Sequence, residues 1–153
     1  MTPERAQLLE RYRGGAAELR AALAGVADED LDRPAPDGGW TARMVAHHVA
    51  ESEATAYVRL RRLVAEDAPA IVGYDEERFA QRNHYERPVA SSLAVVEAVR
   101  ASSLELLEAL TPEEWDRAGS HSDSGRYSID DWLRIYAEHP REHAEQVRKA
   151  LGE

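Results

Sequence analysis

The chain carries six histidines and no cysteine, and two of the histidines, His139 and His143, stand four residues apart. On a helix that spacing puts the two Cβ atoms about 5–6 Å apart, from where both imidazoles can reach one metal ion. A bare HxxxH is more often partly buried packing than a metal site, so a third ligand has to be found. The neighbouring residues set the orientation. Ile129, Trp132, Leu133, Tyr136, Val147 and Ala150 recur with the two histidines in steps of three or four, so both imidazoles continue an apolar stripe and point into the core.

The candidate third ligand is His48. It shares an apolar helical face with Val45, Val49, Ser52, Ala56, Leu60 and Leu63, whereas the adjacent His47 falls to one side with Met44 and Glu51, as a boundary residue or at best a partner behind the ligands. A lone histidine on such a face is usually a hydrogen-bonded core residue; facing His139 and His143 is what would make it a ligand. Three neutral imidazoles leave positions open for water or substrate, which is the make-up of a catalytic site rather than a closed structural one. Zinc, nickel, manganese, iron and cobalt all accept nitrogen donors. His84, in a connection, and His121, in a polar run with Ser120, Ser122 and Asp123, read as solvated surface residues.

Two other metal chemistries can be weighed against the same residues. A di-iron bundle needs Glu-x-x-His, and none of the six histidines has a glutamate three positions before it. The string His139-Pro140-Arg141-Glu142-His143 matches the H-x-x-E-H of inverted zinc proteases in form. Ten residues follow it and Pro140 disturbs it, so Glu142 is not favoured as a general base.

Positioning three histidines this way takes long helices. Thr2-Pro3-Glu4 starts the first, which runs to about Val26 with Gly14 and Gly15 in its middle, where close packing or simple tolerance would account for them. Pro34, Pro36, Gly38 and Gly39 mark a loop before Thr41, which caps a second helix ending near Glu66. A long connection over 67–88 holds one short helix around Asp75–Gln81, and its length suggests either a function or a path across the bundle end. A third helix spans about Val89–Leu110, with Leu93, Val96, Val99, Ser103, Leu106, Leu107 and Leu110 inward. Thr111-Pro112-Glu113-Glu114 then opens a single turn carrying Trp115. Ser128 with Asp131 caps the last helix. Pro140 removes a hydrogen bond to the Tyr136 carbonyl, but Val147 and Ala150 resume the period, so the helix is expected to kink there and continue. With no strand pattern, the fold class is all-α, a four-helix bundle with a long crossover between helices two and three.

At 153 residues and net charge −10, the chain suits one domain over 1–153 and lacks the basic run that nucleic acid or an anionic membrane would need. Without cysteine, any thiol chemistry must use a thiol from outside. No apolar run is long enough to span a membrane and Met-Thr-Pro-Glu-Arg shows neither a charged n-region nor an apolar h-region, so the expected location is the cytoplasm.

Asp37-Gly38-Gly39-Trp40-Thr41, His47-His48-Val49-Ala50, Ala56-Tyr57-Val58-Arg59, Glu66-Asp67-Ala68-Pro69-Ala70-Ile71, Tyr74-Asp75-Glu76 and the final HxxxH together resemble the DinB/YfiT-like superfamily, over nearly the whole chain and in the same order. The likeness is closest to the branch of proposed metal-dependent hydrolases and bacillithiol S-transferases. It implies one divalent ion on His48, His139 and His143, the same three that the helical stripes select. It also implies a small thiol of the bacillithiol or mycothiol type as cosubstrate and an electrophile as its partner, in a protein that is often a homodimer. Tyr57, Arg59 and Tyr74 are the polar residues expected at the substrate. A hydrolase using metal-activated water, and a non-enzymatic stress-associated bundle, are the alternatives.

Overall fold

Thr2, Thr41, Thr111 and Ser128 each accept a hydrogen bond from the backbone N–H three residues on, and each opens a helix where the sequence places one. In the computed structural model, which describes residues 1–153, the helices are α1 (Pro3–Leu23), α2 (Ala42–Ala65), α3 (Glu76–Arg82), α4 (Ala90–Ala109), α5 (Pro112–Trp115) and α6 (Ile129–Leu151). A short 3₁₀ helix over Asp28–Asp32 lies within the loop after α1. No helix is long and apolar enough to cross a membrane.

The four long helices, α1, α2, α4 and α6, form the bundle. Each of α1 and α2 packs against both α4 and α6, so the first two long helices lie on opposite corners. Their connection, residues 24–41, has to cross the end of the bundle. Arg43, buried on α2, anchors it by ion pairs to Asp28 and Asp32.

The absence of strands is corrected. β1 (Ala70–Ile71), β2 (Ala118–His121) and β3 (Gly125–Ser128) form a small sheet in the order β1-β2-β3. β1 pairs in parallel with β2, and β2 pairs antiparallel with β3. The hairpin turns through Ser122–Ser124 into Gly125, whose φ of +80° is left-handed and suits glycine. Strands this short carry no alternation to detect. The sheet ties the crossover to the segment that enters α6.

The buried interior is divided. One apolar cluster gathers Leu9, Tyr12, Leu60, Leu63, Leu107, Trp132 and Leu133. The other gathers Leu19, Val45, Val49, Val96, Ala144 and Val147. Between them, each helix contributes one residue of a different kind: Gly15 from α1, Glu53 from α2, Arg100 from α4 and Pro140 from α6. Arg100 Nη1 lies 2.9 Å from Glu53 Oε1 and both side chains are buried. The Arg100 guanidinium also donates to the carbonyls of Tyr12 and Tyr136 and stacks 3.7 Å from the centroid of the Tyr12 ring.

This layer explains two features of the sequence. A Cβ on Gly15 would meet Arg100 Nη2 at 2.8 Å and Pro140 Cγ at 3.1 Å, so close packing accounts for that glycine; Gly14 has nothing within 4 Å. And α6 runs unbroken from Ile129 to Leu151 through Pro140, because Arg100 supplies the bond to the Tyr136 carbonyl that proline cannot. The inward face of α4 is centred on Ser92, Val96, Arg100, Ser103, Leu104 and Leu107, rotated slightly from the leucine-valine stripe expected, because it includes the buried arginine.

Candidate metal centre

His48 projects from α2 toward His139 and His143 on α6. Ring centroids are 5.7 Å apart for His48 and His139, 4.7 Å for His48 and His143, and 4.5 Å for His139 and His143. One nitrogen from each lies within 4.8 Å of the others, a set that could hold one metal ion. His48 is buried, and the other two are partly buried at the edge of the apolar stripe.

Hydrogen bonds behind the rings set which nitrogen faces inward. His139 Nδ1 stands 3.1 Å from Glu53 Oε1, so its N–H donates to the carboxylate and leaves Nε2 with the lone pair. His143 Nδ1 donates in the same way to Gln146 Oε1 at 2.7 Å. His48 makes no hydrogen bond with the protein, although its Nδ1 is buried. Each ring therefore keeps a nitrogen that no protein group engages, which fits a divalent ion. Burial and the neighbouring rings of His143 and His139 push His48 down to about 3; burial and His139 push His143 down to about 4. Both are neutral and able to ligate at physiological pH.

His47 is different. It is fully buried, its Nδ1 lies 2.8 Å from Ser92 Oγ and its Nε2 lies 2.8 Å from the carbonyl oxygen of Arg87. With both nitrogens committed it fastens α2 to α4 and to the end of the crossover. That corrects its reading as a boundary residue. Glu142 is exposed and is not grouped with the three imidazoles.

Beside His139 a cavity of about 300 Å³ opens, lined among others by Ser52, Arg59, Tyr74, His121, Tyr127 and Tyr136. The crossover supplies Tyr74 and the hairpin supplies His121 and Tyr127. The long 67–88 connection is thus one wall of the cavity. Of the polar residues expected near substrate, Arg59 and Tyr74 line it. Tyr57 does not: its ring lies under the Arg61 guanidinium, 3.2 Å from centroid to Cζ, on the side facing α4. His121 is also corrected, from solvated loop to strand: its Nδ1 accepts from the Asp123 N–H, and its ring packs on Tyr127 with only 11 % of the side chain exposed. His84 is exposed, as expected.

The model of the DinB superfamily matches residues 5–147. The chain belongs to the DinB superfamily. Among its relatives, a protein of Oceanobacillus iheyensis whose name proposes a metal-dependent hydrolase is 38% identical over 120 residues, covering 78% of this chain and 70% of the relative. A Bacillus cereus protein named in the same way is 33% identical over 138 residues, covering 88% and 80%. YfiT from Bacillus subtilis, described as a probable metal-dependent hydrolase with an unusual four-helix bundle topology, superposes with a TM-score of 0.89 at 27% identity, over 98% of this chain and 87% of its own. The mycothiol-dependent maleylpyruvate isomerase shares the fold at a TM-score of 0.76 and 14% identity, over 96% of this chain and 63% of its own. The DinB bundle here departs from simple up-and-down order, with α1 and α2 on opposite corners.

Proposed function

We propose that this DinB protein is a metal-dependent transferase that joins a low-molecular-weight thiol to an electrophile, with His48, His139 and His143 holding one divalent ion. The observation that carries the reading is the convergence of three imidazoles, each with an uncommitted nitrogen, at the edge of a cavity. A divalent ion held there supplies Lewis acidity, which favours the ionised form of a thiol or water at neutral pH.

Thiol is the nucleophile that asks least of the chain's own groups. Glu53 Oε1 is engaged by Arg100 and His139, with Oε2 buried and unpartnered, and Glu142 is exposed. A thiol, with an ordinary pKa near ~8.5, needs far less help to ionise than water does. The likeness in fold to a mycothiol-dependent enzyme supports the same choice. In the reaction proposed, a sulfur–carbon bond forms as the bond from carbon to its leaving group breaks, and the thiol proton leaves with that group. Glu53 keeps His139 in the Nδ1–H form throughout; Trp40, packed edge-on to His48 at 5.0 Å, limits the approach of water.

A hydrolase is the second reading, favoured by the names that the relatives bear. Metal-reconstituted protein is assayed with a haloarene and bacillithiol, mycothiol or glutathione, and separately with activated esters and no thiol. Thiol consumption lost in His139→Ala supports the transferase. Ester turnover alone, lost in the same variant, supports the hydrolase.

A further inference from the structure

Arg59 is the cavity's one cationic side chain of fixed charge. Most arginines of this acidic chain are paired with carboxylates, but Arg59 is not. Its Nη2 donates to the Val72 carbonyl at 3.0 Å, its Nη1 reaches the Tyr136 hydroxyl at 3.4 Å, and its Nε is buried with no hydrogen-bond partner. The hydroxyl of Tyr74, which also lines the cavity, is likewise buried and unpartnered. Buried donors left unpaired are costly, and a guanidinium with a free N–H matches a carboxylate oxygen in charge and in geometry. His121 adds a third donor to the lining: its Nδ1 accepts from Asp123, so its proton is on Nε2.

We infer that the cavity binds a carboxylate-bearing small molecule, with the carboxylate held by Arg59 and Tyr74 while the rest of the molecule extends past Tyr136 toward His139. The path is short: the Tyr136 ring touches Arg59 through its hydroxyl and packs edge-on to His139, centroids 5.6 Å apart. Glu76 and Asp123 also line the cavity; both are exposed, so solvent weakens their effect on a single anionic group bound deeper. This inference rests on the cavity's being the substrate site of the proposed reaction, and the carboxylate belongs to either the thiol or the electrophile.

Benzoate and benzamide, alike in shape and different in charge, test it on metal-free protein. The readouts are the backbone amide resonances of Gly73 and Tyr74 and the side-chain Nε–H of Arg59. Benzoate is expected to shift them saturably and benzamide to leave them in place. Arg59→Lys should weaken benzoate binding severalfold and Arg59→Gln by at least tenfold. Equal responses to the two probes, or none to benzoate, would overturn the inference, and that comparison stands on wild-type protein even should Arg59→Gln fail to fold.

A second arm finds the carboxylate's source. Zinc-loaded protein is given 3-mercaptopropionate or its amide with a neutral haloarene. Faster consumption of the acid, lost in Arg59→Gln, places the carboxylate on the thiol; benzoate binding without such a preference places it on the electrophile. Benzoate binding with no thiol consumed would sink the transferase and leave the anion site standing.

Discussion

Arg100 Nη1 lies 3.0 Å from the carbonyl oxygen of Tyr136, the acceptor that Pro140, four residues further along α6, has no N–H to reach. The same nitrogen lies 2.9 Å from Glu53 Oε1, and Glu53 in turn holds His139. One side chain from α4 thus repairs the backbone of α6 and neutralises the carboxylate that orients a candidate ligand.

Arg100→Met leaves Glu53 buried with no counter-charge beyond its hydrogen bond from His139, and the Tyr136 carbonyl without a donor. It should lower stability by about 3–5 kcal/mol, read from urea unfolding of the metal-free protein. Adding Pro140→Ala, which restores an N–H for Tyr136, should recover about 1 kcal/mol of that. In the wild-type background the same change should recover nothing. Equal effects of Pro140→Ala in both backgrounds would show that the two residues are not coupled.

Glu53→Gln retains the shape of the side chain but removes the charge that His139 donates to. Metal affinity, measured by competition with a chromophoric chelator, should fall about 10–100-fold. Stoichiometry at saturation should remain that of the wild type. Unchanged affinity would mean that Glu53 serves only Arg100.

The two adjacent histidines should separate cleanly. His47→Ala removes two buried hydrogen bonds and should cost about 1–3 kcal/mol while the protein still takes up one equivalent of metal. His48→Ala should abolish tight metal binding with a smaller loss of stability in metal-free protein. The reverse pattern, by elemental analysis and thermal unfolding, would exchange their roles.

Acid should weaken the metal-free fold through His48 and His143. Both are held below the ordinary value of about 6.5, at about 3 and about 4 respectively. Between those values and about 6.5 the unfolded chain binds protons that the folded chain does not. The stabilisation is therefore complete above about pH 6.5 and declines as pH falls through that window. Urea midpoints at pH 7.5 and pH 5 measure the slope, and His48→Gln, neutral throughout, should flatten it.

The bundle was legible because its signals are local: hydroxyl caps at Thr2, Thr41, Thr111 and Ser128, and apolar stripes with a helical period. His48, His139 and His143 were legible for the same reason, each standing on such a stripe. Glu53 and Arg100 left a signal of the same kind. Glu53 falls four residues after Val49 and three before Ala56, and Arg100 four after Val96 and three before Ser103, so two opposite charges interrupt two inward faces. The placement of His121 had no such trace. It depends on β2 pairing with β1 and β3, a relation between residues distant in sequence that no period records. Tyr57 lies off the cavity because it stands two residues before Arg59 on α2, about 200° around the helix axis, so the two side chains do not share a face.

The three imidazoles project from two long helices packed through the middle of the molecule, whereas much of the cavity wall comes from the crossover and the hairpin, through Tyr74, His121 and Tyr127. On the proposed reading, part of the selectivity is therefore encoded outside α2 and α6, the helices that carry the imidazoles together with Arg59 and Tyr136. Substitutions or changes of length in the two connecting segments can alter which molecule fits while the imidazoles stay where the core holds them. A scaffold divided in this way can acquire a new substrate without rebuilding its chemistry.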